Sequence, residues 1–135
     1  MKLRVIPTSV HGAVDQVVGA TLIAAPELLR LSRSSPEGIA PRVNGAAAAV
    51  YSNLTDYELS LRNLIPMKVH LALDALSGAT LAAVPLASGA RKRGARHWLP
   101  HTFVGAFEIA MALTTKAEPR RTRAGRLASL RKLKP

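Results

Sequence analysis

The chain has no cysteine and few aromatic residues. The absence of cysteine from 135 residues excludes disulfide bonds and thiolate metal ligands. Aromatic residues make up 4% of the chain, which leaves little ring surface for stacking on nucleic-acid bases. The phosphate-binding motif GxxxxGK[ST], the dinucleotide motif GxGxxG and the nucleophile motif GxSxG are also absent. From the sequence we therefore assign no catalytic residue, no cofactor and no resident metal.

Positive charge is concentrated at the C-terminal end. The formal net charge is +11, and residues 116–135 hold eight of the 19 basic residues but one of the eight acidic ones. The rest of the chain is largely apolar, with four apolar stretches at about 7–31, 40–57, 66–87 and 97–115. A helix needs roughly 20 residues to cross the hydrocarbon core of a bilayer. The sequence therefore predicts an all-α, four-transmembrane-helix bundle over residues 1–115 and a basic tail over 116–135.

An internal repeat divides the membrane domain into two halves. The segments IPTSVHGAVDQVVGATLIAAP (6–26) and IPMKVHLALDALSGATLAAVP (65–85) are identical at 12 of 21 positions. The second halves align more loosely, with Gly45-Ala46 matching Gly105-Ala106. We predict two tandem two-helix repeats, at about 6–57 and 65–115. Because each repeat holds an even number of helices, the two copies should share one orientation about a pseudo-two-fold axis along the membrane normal.

Prolines and aromatic residues mark the predicted helix ends. A proline is tolerated in the first turn of a helix, where its missing N–H would have no partner. We expect the four helices to open at Pro7, Pro41, Pro66 and Pro100. Amphipathic rings favour the membrane interface, so that location is predicted for Tyr51, Tyr57 and Trp98.

Residues 5–115 resemble the SPW-repeat family of small bacterial membrane proteins. The segments that carry the resemblance are VHGAVDQVVGATLIAAP, TDYE (55–58), IPMKVHLALD and WLPHTFVGAFEIAMALTT (98–115). Where the family has Ser-Pro-Trp, this chain has Ala25-Pro26-Glu27 and Val84-Pro85-Leu86, so the proline is retained and the serine and tryptophan are not. The resemblance implies an integral membrane helical bundle of the bacterial inner membrane, and it implies no reaction.

Ionisable residues within the apolar stretches are the candidate functional residues, because burying them in a membrane is costly. In each repeat a histidine precedes an aspartate by four residues, which places both side chains on one helix face. The candidate polar cluster comprises His11, Asp15, His70, Asp74, Glu108 and His101. Three interpretations of the His–Asp pairs remain open: hydrogen bonds that join helices, a proton or cation relay, and a metal site. The spacing HxxxD is by itself a weak metal signature.

The tail has a three-residue apolar period between basic residues, which is typical of a short amphipathic helix. We expect it to bind anionic lipid headgroups through Arg123, Arg126, Arg131, Lys132 and Lys134. A solvated tail is the alternative, and nucleic acid is a disfavoured partner. Counting basic residues on either side of the predicted spans places both termini in the cytoplasm.

Three functions fit these features. The first is a multi-pass inner-membrane protein of structural or accessory role, without catalytic activity, associated with itself or with other membrane proteins. The second is a transporter of protons, cations or small solutes that uses the intramembrane His–Asp pairs. The third is a soluble, basic, helical nucleic-acid binder, for which the net charge is the main support.

Overall fold

A computed structural model describes residues 3–119 and shows an all-helical chain. Its four helices are α1 (Thr8–Leu28), α2 (Pro36–Leu54), α3 (Met67–Ala87) and α4 (Leu99–Thr114). Within residues 3–119 there is no β-strand, and the link from α3 to α4 contains two short 3₁₀ turns. The all-α prediction is thereby confirmed. The lipid-binding prediction for Arg123, Arg126, Arg131, Lys132 and Lys134 lies outside the described residues.

Proline opens the helices as expected at three of the four positions. Pro7 and Pro66 immediately precede α1 and α3, and Pro100 is the second residue of α4. The prediction for Pro41 was wrong, because α2 begins at Pro36 and Pro41 lies inside it. The Oγ atom of Ser35 accepts a hydrogen bond from the backbone N–H of Gly38 and caps the helix, so the start signal lies earlier than the apolar stretch.

Each repeat folds into a helical hairpin whose two helices meet at glycine. A Cβ atom on Gly45 would lie 2.6 Å from the carbonyl oxygen of Gly19, and one on Gly78 would lie 2.5 Å from that of Gly105. These distances are shorter than van der Waals contact, so the helix backbones touch. Such close approach through small residues is typical of helix pairs that associate in lipid.

The two hairpins are joined by two equivalent sets of backbone contacts. One set joins the start of α1 to the end of α4, and the other joins the end of α2 to the start of α3. Ile6 forms an isolated β-bridge with Thr115, and Thr55 forms one with Ile65. The N–H groups of Lys116 and Asp56 donate to the carbonyl oxygens of Ile6 and Ile65, at 2.9 and 2.8 Å. As a result, the starts of α1 and α3 are held beside the ends of α4 and α2, where the candidate site lies.

One of the described helices, Met67–Ala87, is long and apolar enough by itself to be a candidate membrane span. The other three differ for identifiable reasons. Helix α4 has 16 residues, α2 contains Arg42 and Asn44, and α1 contains His11, Asp15 and Gln16. Polar residues lower the mean hydropathy of a helix whether they face outward or toward the interior. Mean hydropathy therefore does not show on which side of the helix they lie.

Candidate functional site

The structure brings both His–Asp pairs together between α1 and α3. His11 Nε2 lies 2.8 Å from Asp74 Oδ2, and His70 Nε2 lies 3.0 Å from Asp15 Oδ2. The contacts within each repeat are 3.4 Å for His11 with Asp15 and 3.1 Å for His70 with Asp74. The two Nε2 atoms lie 3.1 Å apart. Each carboxylate therefore contacts both imidazoles, and the two repeats share one four-residue centre.

Both histidines are fixed from behind by a threonine. His11 Nδ1 lies 2.8 Å from the hydroxyl of Thr115, and His70 Nδ1 lies 2.9 Å from that of Thr55. Each hydroxyl donates its hydrogen to a carbonyl oxygen one turn earlier in the chain, at 2.7 Å. A hydroxyl has one hydrogen, so both threonines accept from the imidazoles. Both rings therefore carry hydrogen on Nδ1 and direct Nε2 toward the carboxylates.

Tyrosine and serine side chains complete the surroundings of the cluster. The hydroxyl of Tyr51 donates to Asp74 Oδ1 at 2.7 Å, and that of Ser52 donates to Asp15 Oδ2 at 3.4 Å. The ring of Tyr57 packs edge-on against His70 and is 1% exposed. The rings of Tyr51 and Tyr57 therefore contact the His–Asp cluster, and their location at a membrane interface stays a prediction.

The residues that support the histidines were not predicted from the sequence. Thr55 and Thr115 are both fully buried, and they occupy equivalent places at the ends of the two repeats. Their recurrence at an offset of 60 residues, the same as that of Gly45 and Gly105, was the available signal. Threonine at a helix end has several ordinary explanations, so the spacing alone could not show that it contacts histidine.

Glu108 lies beside the cluster rather than within it. It lines a cavity of about 20 Å³ together with His11, Asp15, Asp74 and Tyr51, among others. Its Oε2 atom is buried and has no hydrogen-bond partner among the described residues. A cavity of this size can hold about one water molecule.

His101 is separate from the other candidates. Its Nε2 atom lies 2.7 Å from the backbone carbonyl oxygen of Glu37, at the start of α2. That end of the hairpin is opposite to the end that carries the His–Asp cluster. We predicted one polar cluster that included both His101 and Glu108, which lie on the same helix. Seven residues of helix, however, separate them by about 10 Å along the axis.

A second polar contact occupies this opposite end. Glu37 Oε1 accepts hydrogen bonds from Arg93 Nη2 at 2.8 Å and from His97 Nδ1 at 3.2 Å. Glu37 precedes the apolar stretch of α2 and is 2% exposed. Burial by itself would raise the pKa of its carboxyl, but hydrogen bonds from its own backbone, His97 and Arg93 outweigh it and hold the pKa below the ordinary value.

No match was found when the chain was compared with protein-family models, with curated proteins and with solved structures. The resemblance to the SPW-repeat family therefore rests on the sequence segments quoted above. The chemistry of the site has to be argued from its geometry. Two imidazoles and two carboxylates in mutual contact can exchange protons, hold a cation, or join the two hairpins through hydrogen bonds.

Proposed function

We propose that the chain is a multi-pass membrane protein, a four-helix bundle of structural or accessory role. The observation that carries this proposal is the distribution of polarity. Buried histidine, aspartate and glutamate side chains share the interior with apolar ones, whereas many large apolar side chains face outward on all four helices. Examples of the outward-facing residues are Val17, Val50, Leu76 and Phe103, each more than 60% exposed.

This distribution differs from that in a water-soluble protein. Soluble monomers bury large apolar residues and rarely expose a wide apolar surface. Here, His11 and His70 are at most 1% exposed, while Phe103 is 72% exposed. Lipid reverses the preference, since acyl chains solvate Val, Leu and Phe but offer no hydrogen bonds to histidine. Of the three residues that lower the hydropathy of α1, His11 and Asp15 face inward and Gln16 is exposed.

Within this proposal the His–Asp cluster connects the two repeats. The hairpins α1–α2 and α3–α4 each form around glycine contacts, and the contacts of His11 with Asp74 and of His70 with Asp15 cross between them. In lipid, where apolar surfaces gain nothing by leaving water, such polar contacts are a specific source of association. The cluster would thus define how the two copies of the repeat assemble.

Membrane extraction tests the proposal. Membranes from cells that express the full chain are washed with alkaline carbonate, then treated with detergent. We expect the protein to stay in the pellet after carbonate and to dissolve in detergent. Release by carbonate as a folded monomer would contradict the proposal and favour the soluble nucleic-acid binder.

A second candidate function, conduction of protons or cations, is favoured by Glu108. Its unpartnered oxygen and the carboxylates of Asp15 and Asp74 border the same small cavity. Asp15→Asn, Asp74→Asn and Glu108→Gln variants in liposomes separate the two functions. Loss of pH-driven flux with an unchanged melting temperature supports conduction. A lower melting temperature in the two aspartate variants, with no flux in any protein, supports the structural role.

A further inference from the structure

We propose that His11, Asp15, His70 and Asp74 form a binding site for one divalent transition-metal ion, best matched by Zn²⁺. The site goes beyond the proposed structural role, because metal binding can be measured whether or not the chain crosses a membrane. One ligand atom from each residue lies within 4.8 Å of the other three. The four atoms come from two helices and from both halves of the repeat.

The direction of the histidine nitrogens is the second observation that points to a ligand. The hydroxyl hydrogens of Thr55 and Thr115 are committed to backbone carbonyl oxygens, so the hydroxyls accept hydrogen from Nδ1 of His70 and His11. In neutral imidazole the Nε2 atom then presents a lone pair to the centre. Metal-binding histidines are held in this way, with the other ring nitrogen donating to a fixed acceptor.

With both imidazoles neutral and no cation bound, the centre would be electron-rich. Two lone-pair nitrogens would face carboxylate oxygens at 2.8–3.1 Å. Lone pairs at such distances repel, and two unbalanced carboxylates are costly in a buried site. One divalent cation removes both penalties, since its charge balances the two aspartates and its empty orbitals accept the lone pairs. Two protons, one on each Nε2 atom, would also balance the charges, and the metal measurements below distinguish these two states.

The donor set and its size favour zinc among the divalent ions. Imidazole nitrogen suits Zn²⁺, whereas Ca²⁺ and Mg²⁺ take six or more oxygen ligands. A tetrahedral ion with bonds of about 2.0–2.2 Å separates its donors by roughly 3.3–3.6 Å. The His–Asp contacts of 2.8–3.4 Å and the 3.1 Å between the two Nε2 atoms lie within about half an ångström of these separations. The four ligand atoms extend to within 4.8 Å of one another, so the widest pair has to close by about 1 Å, which side-chain rotation supplies.

The aspartates are held by a second shell of their own. Tyr51 donates to the Oδ1 atom of Asp74, which leaves Oδ2 directed at both imidazoles. Ser52 donates to Asp15 on the other side. With His, Asp, Thr and Tyr side chains all engaged, the arrangement is that of a closed structural site rather than a catalytic one with an open position.

The test uses the full chain with a tag that contains no histidine, purified in detergent and freed of metal with a chelator. We expect it to take up one Zn²⁺ per chain by elemental analysis after desalting. We expect Co²⁺ to give the intense visible absorption of a tetrahedral complex. Uptake well below one equivalent, or the weak spectrum of octahedral Co²⁺, would overturn the site in favour of hydrogen bonds between imidazolium and carboxylate.

Variants separate this site from adventitious binding. Asp74→Asn keeps the size of the side chain but replaces one acceptor oxygen with an NH₂ group and removes the charge, and should lower Zn²⁺ affinity at least tenfold. Thr55→Val leaves all four ligands in place and should lower it about 10–100-fold by releasing His70. His97→Gln, which alters a histidine at the opposite end, should bind as the natural chain does. Equal binding by all of the variants would overturn the proposal.

Discussion

His101 supplies the hydrogen bond that Pro41 cannot make. In an α-helix the N–H of residue 41 would donate to the carbonyl oxygen of Glu37, but proline has no N–H. The imidazole of His101, on α4, lies 2.7 Å from that oxygen and takes the place of the missing donor. This contact accounts both for a proline within α2 and for a buried histidine that does not join the His–Asp cluster.

A double-mutant cycle tests the pairing of His101 with Pro41. We expect His101→Leu to lower the free energy of unfolding by about 1–3 kcal/mol, because the Glu37 carbonyl oxygen loses its donor. In a Pro41→Ala background the helix regains its own N–H, so the same substitution should cost about 1 kcal/mol less. Thermal unfolding in detergent, followed by Trp98 fluorescence, provides the measurement. Equal costs in both backgrounds would show that the two residues are independent.

The glycine contacts predict that alanine destabilises the protein at Gly45 and Gly105 but not at Gly19. A methyl group on Gly45 would press on the backbone of α1, and one on Gly105 would press on that of α3. We expect either alanine substitution to cost about 1–3 kcal/mol of stability through overpacking. Gly19→Ala is the matched control, because the nearest atom to its added carbon lies 3.4 Å away. Its cost should be near zero or negative, since alanine favours helix by up to about 1 kcal/mol. Equal melting temperatures for all three variants would contradict the close approach.

The lowered pKa of Glu37 predicts that the protein loses stability in acid. The pKa of its carboxyl is lower in the folded protein than the ordinary value of 4.5. The folded state therefore binds the proton less tightly than the unfolded state, and the stabilisation is complete above about pH 4.5. It is lost as the pH falls below 4.5 through the folded-state pKa. We expect the melting temperature of Glu37→Gln to fall less than that of the natural chain as the pH is lowered from about 5 to about 3. Glu118→Gln, near the other end of the molecule, is the control for removing a carboxyl group. The same acid profile in Glu37→Gln and the natural chain would contradict the prediction.

The orientation in the membrane can be tested with single cysteines, since the natural chain has none. Asn63→Cys lies in the connection from α2 to α3, which the charge count places in the cytoplasm. Ser34→Cys lies in the connection from α1 to α2, on the opposite face. On intact spheroplasts we expect an impermeant maleimide to label Ser34→Cys and to spare Asn63→Cys until the membrane is opened. The reverse pattern would invert the topology.

The sequence predicted the helices well because their signals are local. Apolar runs and proline positions placed α1, α3 and α4 within a few residues of their observed bounds. The start of α2 was predicted four residues late because the apolar run begins after Pro36, whereas the cap of Ser35 defines the helix. Pro41 was predicted to be a helix start because proline is tolerated in the first turn, where its missing N–H would have no partner.

Part of the candidate site could be predicted from the sequence, because the spacing of its ligands within each helix is a local signal. The spacing of His11 and Asp15, repeated at His70 and Asp74, indicates one shared helix face in each repeat. Which residues lie behind the imidazoles depends on how the ends of α2 and α4 pack, and no local pattern encodes that. The positions of His101 and Glu37 depend on packing between α2 and α4 in the same way.

The most direct test of the membrane bundle is the environment of its outward-facing apolar residues. Spin labels on single cysteines at Val17, Leu76 and Phe103, in liposomes, report collisions with oxygen and with a water-soluble nickel chelate. We expect frequent collisions with oxygen and few with nickel at all three positions, and the opposite for a label at Asn63. Nickel collisions at the three apolar positions as frequent as at Asn63 would contradict it.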